Sequence, residues 1–138
     1  MTRYLRTCRI AGLTALASLV VALFAAAPAG AGTSTNQACK GAAPYQTCQT
    51  LKVTATPKAN TKVKISVTVN DTPTVTVKLY QKKNGTYKFL RNVFRGNVAS
   101  GTKKLSIRTK HVGKYEIKTK ANSKGLIAST TNKFRTHL

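Results

Sequence analysis

The chain has 138 residues, with 24 Lys+Arg against 2 Asp+Glu and a formal net charge of +22. Only Asp71 and Glu116 supply side-chain carboxylates, too few for a paired-carboxylate glycosidase or for an oxygen-ligated calcium or magnesium site. Hydrophobic residues still make up 41% of the chain, enough for a packed core, so a disordered basic tail is excluded as well.

From the N-terminus, Arg3, Arg6 and Arg9 precede an uncharged, mostly apolar run over 10–27, and Ala27-Pro28-Ala29-Gly30-Ala31-Gly32 follows it. A basic start, an apolar middle and a small-x-small end predict a secretory signal peptide over 1–31, cut after Ala29 or Ala31. The run is about long enough to span a bilayer, but its ending in small residues and Pro favours cleavage over an anchor. Without an Arg-Arg pair the general secretory route is expected, and without a Cys at the cut no lipid is attached. Removing 1–31 takes three Arg and no acid, so the expected mature chain keeps a charge of +19. No second apolar segment follows, so no transmembrane segment is expected in it, and its expected location is extracellular.

Cys8 leaves with the signal, and Cys39 and Cys48 remain. Two cysteines in an exported chain predict a disulfide. A metal site would need more ligands, and a redox motif would need Cys-x-x-Cys. The surrounding stretch 32–50 is rich in Thr, Ser, Ala, Gly and Asn and reads as a short stapled arm ahead of a main domain over 51–138.

From Leu51 the hydrophobic period is two. Leu51, Val53 and Ala55 alternate with Lys52 and Thr54. Val63, Ile65, Val67 and Val69 alternate with Lys64, Ser66 and Thr68. Val75, Val77 and Leu79 alternate with Thr76, Lys78 and Tyr80. Thr86–Arg91 follows the hairpin signal Asn84-Gly85, where Gly85 allows the positive φ that the turn requires. Leu105 and Ile107 mark a shorter strand. Tyr115, Ile117, Thr119 and Ala121 alternate with polar neighbours, and Asn122-Ser123-Lys124-Gly125 turns the chain into a last strand over 126–136. Alternation in Val/Ile/Thr/Tyr-rich segments predicts strands with one buried face, seven in all, and no segment shows a helical period.

Seven short strands with regular turns predict an all-β sandwich or small barrel. The segments Pro73-Thr74-Val75-Thr76-Val77-Lys78-Leu79, Val112-Gly113-Lys114-Tyr115-Glu116-Ile117 and Asn122-Ser123-Lys124-Gly125-Leu126-Ile127-Ala128-Ser129, with a last strand carrying Phe134, resemble the immunoglobulin-like and fibronectin type III-like modules of secreted bacterial proteins. That resemblance implies a seven-stranded antiparallel immunoglobulin-like sandwich. It also implies a structural role for Tyr115, as a tyrosine-corner-like residue whose hydroxyl bonds nearby backbone, and for Gly113, as the residue permitting a tight approach before it. The Cys…Trp…Cys core of true immunoglobulin domains is absent.

Catalysis has little to draw on. The two His are His111, in an expected loop, and His137, next to the last residue. No Gly-x-Ser-x-Gly, zinc spacing or phosphate-cradling glycine loop occurs, so neither enzyme activity nor a cofactor is expected. Asp71 reads as a turn former, and Glu116 as a solvent-facing residue between Lys114 and Lys118. The cations carry the functional expectation. Lys78, Lys82, Lys114, Lys118 and Lys120, with Tyr80, fall on the outer sides of the third and sixth expected strands. Lys82, Lys83, Lys88 and Arg91 crowd the Asn84-Gly85 hairpin. Lys on outer faces also protects sheets from aggregation, but an imbalance this large exceeds what solubility needs. The expectation is a non-catalytic adhesion or cell-envelope module contacting anionic polymers. The predominance of Lys over Arg, 17 to 4 beyond residue 31, argues for diffuse attraction over specific nucleic-acid recognition. The alternatives are a cationic antimicrobial or toxin-like protein, and a protease inhibitor presenting Lys40 or Tyr45 in the Cys39–Cys48 loop.

Overall fold

The computed structural model describes residues 31–138; residues 1–30 of the expected signal sequence, Cys8 among them, lie outside. Eight strands follow one another: β1 (Gly32–Lys40), β2 (Thr47–Pro57), β3 (Lys62–Val69), β4 (Thr74–Lys83), β5 (Thr86–Asn97), β6 (Gly101–Arg108), β7 (Gly113–Ser123) and β8 (Leu126–Thr136). They form two antiparallel four-stranded sheets, ordered β1-β2-β3-β6 and β5-β4-β7-β8. Between the sheets lies the core: Leu51, Val53, Ala55, Val63, Ile65, Val67 and Val69 from one, and Val75, Val77, Leu79, Tyr115, Ile117, Ala121, Ala128 and Phe134 from the other. These are the inward members of the period-two segments, and their burial is the main source of stability in a two-sheet sandwich.

Among the described residues there are eight strands where seven were expected. The extra one is β1, in the stretch whose composition predicts an arm. It pairs with β2 along its whole length, from Gly32 opposite Ala55 to Lys40 opposite Thr47, and the expected boundary between residues 50 and 51 falls inside β2. Its sequence, Gly-Thr-Ser-Thr-Asn-Gln-Ala-Cys-Lys, has no apolar alternation, and only Gly32, Ser34 and Ala38 are half-buried. Three other features hold it. Cys39 and Cys48 face each other across the hairpin and are joined, their Cα atoms 4.0 Å apart. A short closed loop of this kind contributes about 2–3 kcal/mol in the chain-entropy picture. Ladder hydrogen bonds run to β2. The third feature is a polar seam to β8, the edge strand of the opposite sheet. There Asn132 Nδ2 donates to the carbonyls of Gly32 and Val53, both at 3.0 Å, and Asn132 Oδ1 accepts from Ser34 Oγ at 2.7 Å. Farther along, Ser129 N donates to Asn36 Oδ1 at 3.3 Å. Asn132 is only 2% exposed, and those bonds are what make its burial tolerable.

The opposite seam joins β5 and β6. Arg91 Nη2 donates to the Arg108 carbonyl at 3.3 Å, and Lys103 Nζ lies 4.9 Å from the centre of the Phe94 ring. β5 carries two register shifts against β4. Val77 pairs with Phe94 but Lys78 with Asn92, and Leu79 pairs with Arg91 but Tyr80 with Phe89, so Val93 and Leu90 are each left over as a bulge.

The turns obey local backbone chemistry. Asn84 and Gly85 have φ of 50° and 82°, and Lys124 and Gly125 have 50° and 85°. Both are two-residue hairpin turns with positive φ at both central positions. Asn122 Oδ1 accepts from Gly125 N at 3.1 Å and pins the second.

Asp71, in the β3–β4 connection, accepts a hydrogen bond from Ser123 Oγ at 2.6 Å and so ties that connection to the end of β7. The Ser123 hydroxyl holds the Asp71 carboxyl below its ordinary value, helped by the Thr72 backbone and Lys124. A depressed carboxylate pKa adds stability that is fully present above the unfolded value, near 4, and disappears as pH falls through the folded one. We therefore expect Asp71→Asn to flatten the acid side of the stability profile. Denaturation midpoints measured from pH 6 to pH 2 should drop less in the variant than in the parent protein, and parallel curves would contradict the assignment.

Candidate functional site: a basic groove on the outer face of the β5-β4-β7-β8 sheet

On β4 and β7 the inward residues are apolar or small, so the alternate positions turn their side chains to solvent on one face. The register then sets neighbours. Lys78 stands opposite Lys118, Thr76 opposite Lys120, and Tyr80 opposite Glu116. From β5 come Phe89 opposite Tyr80 and Asn92 opposite Lys78, and from β8 Thr131 opposite Lys118 and Ser129 opposite Lys120. A groove of about 570 Å³ runs over this face, bordered by the cations Lys78, Arg95, Lys118 and Lys120, the rings of Tyr80 and Phe89, and the polar groups of Asn92, Thr76, Ser129 and Thr131. Its size is in the usual range for a ligand cleft.

One carboxylate lies near it. Glu116 sits on the outer face but is only 4% exposed, where the sequence suggested a solvent-facing residue. Lys118 covers it, with Nζ 3.4 Å from Glu116 Oε1 and 4.9 Å from the centre of the Tyr80 ring. The Tyr80 ring in turn meets Phe89 edge-on at 5.6 Å between centroids. Glu116 and Tyr80 thus fix the Lys118 ammonium, while Lys78, Lys120 and Arg95 have no carboxylate partner. The groove presents cations with no competing exposed anion, flanked by hydrogen-bonding groups and the half-exposed Phe89 ring. That arrangement suits attraction of an extended anionic chain, and it contains no nucleophile–base–orienter set. Among the described residues no group of three or more His, Cys, Asp or Glu could hold a metal ion.

Of the residues singled out from sequence, Lys78, Tyr80, Lys118 and Lys120 line the groove. Lys82 is at the hairpin end of the sheet, its Nζ 5.8 Å from the centre of the Tyr87 ring, which Lys133 approaches at 5.4 Å from β8. Lys83 and Lys88 are exposed beside the Asn84-Gly85 turn, and Lys114 pairs in register with Arg135 at the other end of β7. Arg91 points to the β5–β6 seam rather than into the groove. Arg95, Asn92 and Phe89 belong to the groove and were not singled out. Alternation counted from Phe89 puts Arg91 outward, and only the bulge at Leu90 makes Asn92 the next outward residue.

The structural residues are also placed. Tyr115 is buried, stacks on Phe134 with centroids 6.0 Å apart, and donates from its hydroxyl to the His111 carbonyl at 2.6 Å. Gly113 is not demanded by a close approach: a Cβ there would meet the Tyr115 ring at 3.8 Å, an ordinary contact. What Gly113 supplies is its N–H, donated to Thr136 Oγ1 at 3.2 Å. Gly85 does require its positive φ. At the far end of the β1–β2 hairpin, beyond the disulfide, Tyr45 is 88% exposed.

No protein-family model, no curated protein and no solved structure matches this chain.

Proposed function

We propose that this is an exported, non-catalytic immunoglobulin-like interaction module whose basic outer face contacts anionic polymers of a cell envelope or extracellular matrix, in an adhesive or scaffolding role. The observation that carries the proposal is the groove where Lys78, Arg95, Lys118 and Lys120 converge while the one nearby carboxylate is covered by Lys118. A cleft lined by one sign of charge concentrates counter-charged ligands.

The immunoglobulin-like assignment draws support from the connectivity. Setting β1 aside, β2-β3-β6 and β5-β4-β7-β8 form a three-plus-four sandwich in which the chain changes sheets after β3, β5 and β6. Tyr115, near the start of β7, bonds backbone four residues upstream, as a tyrosine corner does. Export draws support from the basic, apolar and small-residue order of residues 1–31 and from the Cys39–Cys48 disulfide, a bond that persists in oxidising compartments. A second role, as a protease inhibitor, has one observation in its favour: the exposed Tyr45 on a covalently clamped hairpin, next to which a panel of proteases can be tested directly.

The test is retention on immobilised heparin and on teichoic acid across a salt series. Binding should weaken linearly in log–log form, and Lys78→Gln/Lys120→Gln should lower the slope by about two, one released counterion per lost cation. Absence of retention at low salt on both polymers would refute the proposal.

A further inference from the structure

The face opposite the groove carries a second one. On β2, β3 and β6 the outward positions alternate with buried Ala55, Val63, Ile65 and Val67, and the register sets Thr56 opposite Lys64, Lys64 opposite Ser106, and Ser66 opposite Lys104. With Lys58 from the β2–β3 connection, these side chains border a depression of about 440 Å³. No acidic side chain lies on this face: Glu116 is on the other sheet, and Asp71 is in the β3–β4 connection. Lys64 and Lys104 are exposed and make no salt bridge.

We infer that the molecule is bivalent, holding one anionic chain on each outer face and so bridging two separate polymer strands. This rests on the polyanion-binding role proposed above and adds its geometry. The two grooves open on opposite faces of a sandwich whose sheets are about 10 Å apart before side chains are added. A chain segment lying along one groove therefore does not occupy the other. Along the β1–β8 side the hydrogen bonds between the sheets are made by Ser34, Asn36, Ser129 and Asn132, all neutral, and Lys133 of β8 sets its Nζ over the Tyr87 ring on the groove face. The β5–β6 side carries Arg91, Arg108 and Lys103. Two of these are engaged in the seam, Arg91 on the Arg108 carbonyl and Lys103 over the Phe94 ring. Charge complementarity names the occupant on both faces as a polyanion, and opposed sites on a rigid core favour two strands over one wrapped strand.

The experiment is a two-layer capture. Protein is bound to a heparin-coated surface at low salt, excess is washed away, and fluorescent heparin is passed over it. The parent protein should take up the second heparin. Lys78→Gln/Lys120→Gln and Lys64→Gln/Lys104→Gln each leave one face, so each should still be captured while second-layer uptake falls about fivefold or more, as effective bivalency is lost. Lys110→Gln/Lys124→Gln removes the same charge from the β6–β7 connection and the β7–β8 turn and should leave uptake unchanged. Capture without second-layer uptake by the parent protein would overturn bivalency and leave the single-face role standing. Equal losses in the face variants and the turn control would also overturn it, by showing that total charge is what matters. Failure of capture itself would overturn the polyanion role on which the inference rests.

Discussion

Replacing Asn132 by Ala should cost about 3 kcal/mol of folding free energy and loosen β1 first. The Gly32 and Val53 carbonyls would lose their Asn132 donor, and the Ser34 hydroxyl its acceptor. Each buried polar group stranded in this way costs about 1–3 kcal/mol, and partial rewetting at the β1 edge keeps the total at the low end of that sum. Ser34→Ala removes a single contact and should cost about 1 kcal/mol. The double variant should fall short of additivity, because the contact is already gone in the first. Urea denaturation gives the free energies, and hydrogen exchange gives the location: amides of β1 should lose protection ahead of those in β3 and β7. A loss below 1 kcal/mol, or uniform loss of protection, would show that the seam does not hold β1.

Tyr115 should separate into two effects of different size. Tyr115→Ala removes a fully buried ring stacked on Phe134 between the sheets and should cost about 4 kcal/mol, in the range for emptying an aromatic site in a core. Tyr115→Phe keeps the ring and deletes only the hydrogen bond to the His111 carbonyl. That carbonyl still accepts from Thr109 Oγ1 at 3.0 Å, so the cost should be about 1 kcal/mol. Equal losses in the two variants would mean that the hydroxyl, not the ring, anchors this end of the sandwich.

How much was legible in the sequence depended on whether a residue's surroundings are set along the chain or across it. β2, β3, β4 and β7 were readable, because an apolar residue at nearly every second position states which face is buried, whereas β5 and β8 were announced by the turns before them and β5 runs on to Asn97, past the expected Arg91. β1 was not, because nothing in Thr33-Ser34-Thr35-Asn36-Gln37 prefers a face; that segment is a strand because β2 offers it a ladder and Asn132 and Cys48 hold it there. The pairing of β4 with β7 gathered Lys78, Lys118 and Lys120 as alternation implied. The β5 contribution was hidden, since the bulge at Leu90 shifts the phase and exchanges Arg91 for Asn92 on the outer face before the bulge at Val93 restores it at Arg95. The covering of Glu116 also escaped sequence, because it is made by Lys118 and Tyr80 on its own sheet surface and not by any inward turn of the strand.

The two bulges of β5 reach beyond the groove they shape. β5 is an outermost strand, and an outermost strand with a regular row of free amides and carbonyls is a template on which another chain can add. With Val93 and Leu90 each displaced from the ladder, that row is broken twice within twelve residues, and a second copy finds no run long enough to extend the sheet. On the β5 edge, then, a further strand cannot add in regular register, and this holds even when salt screens the repulsion between cationic copies.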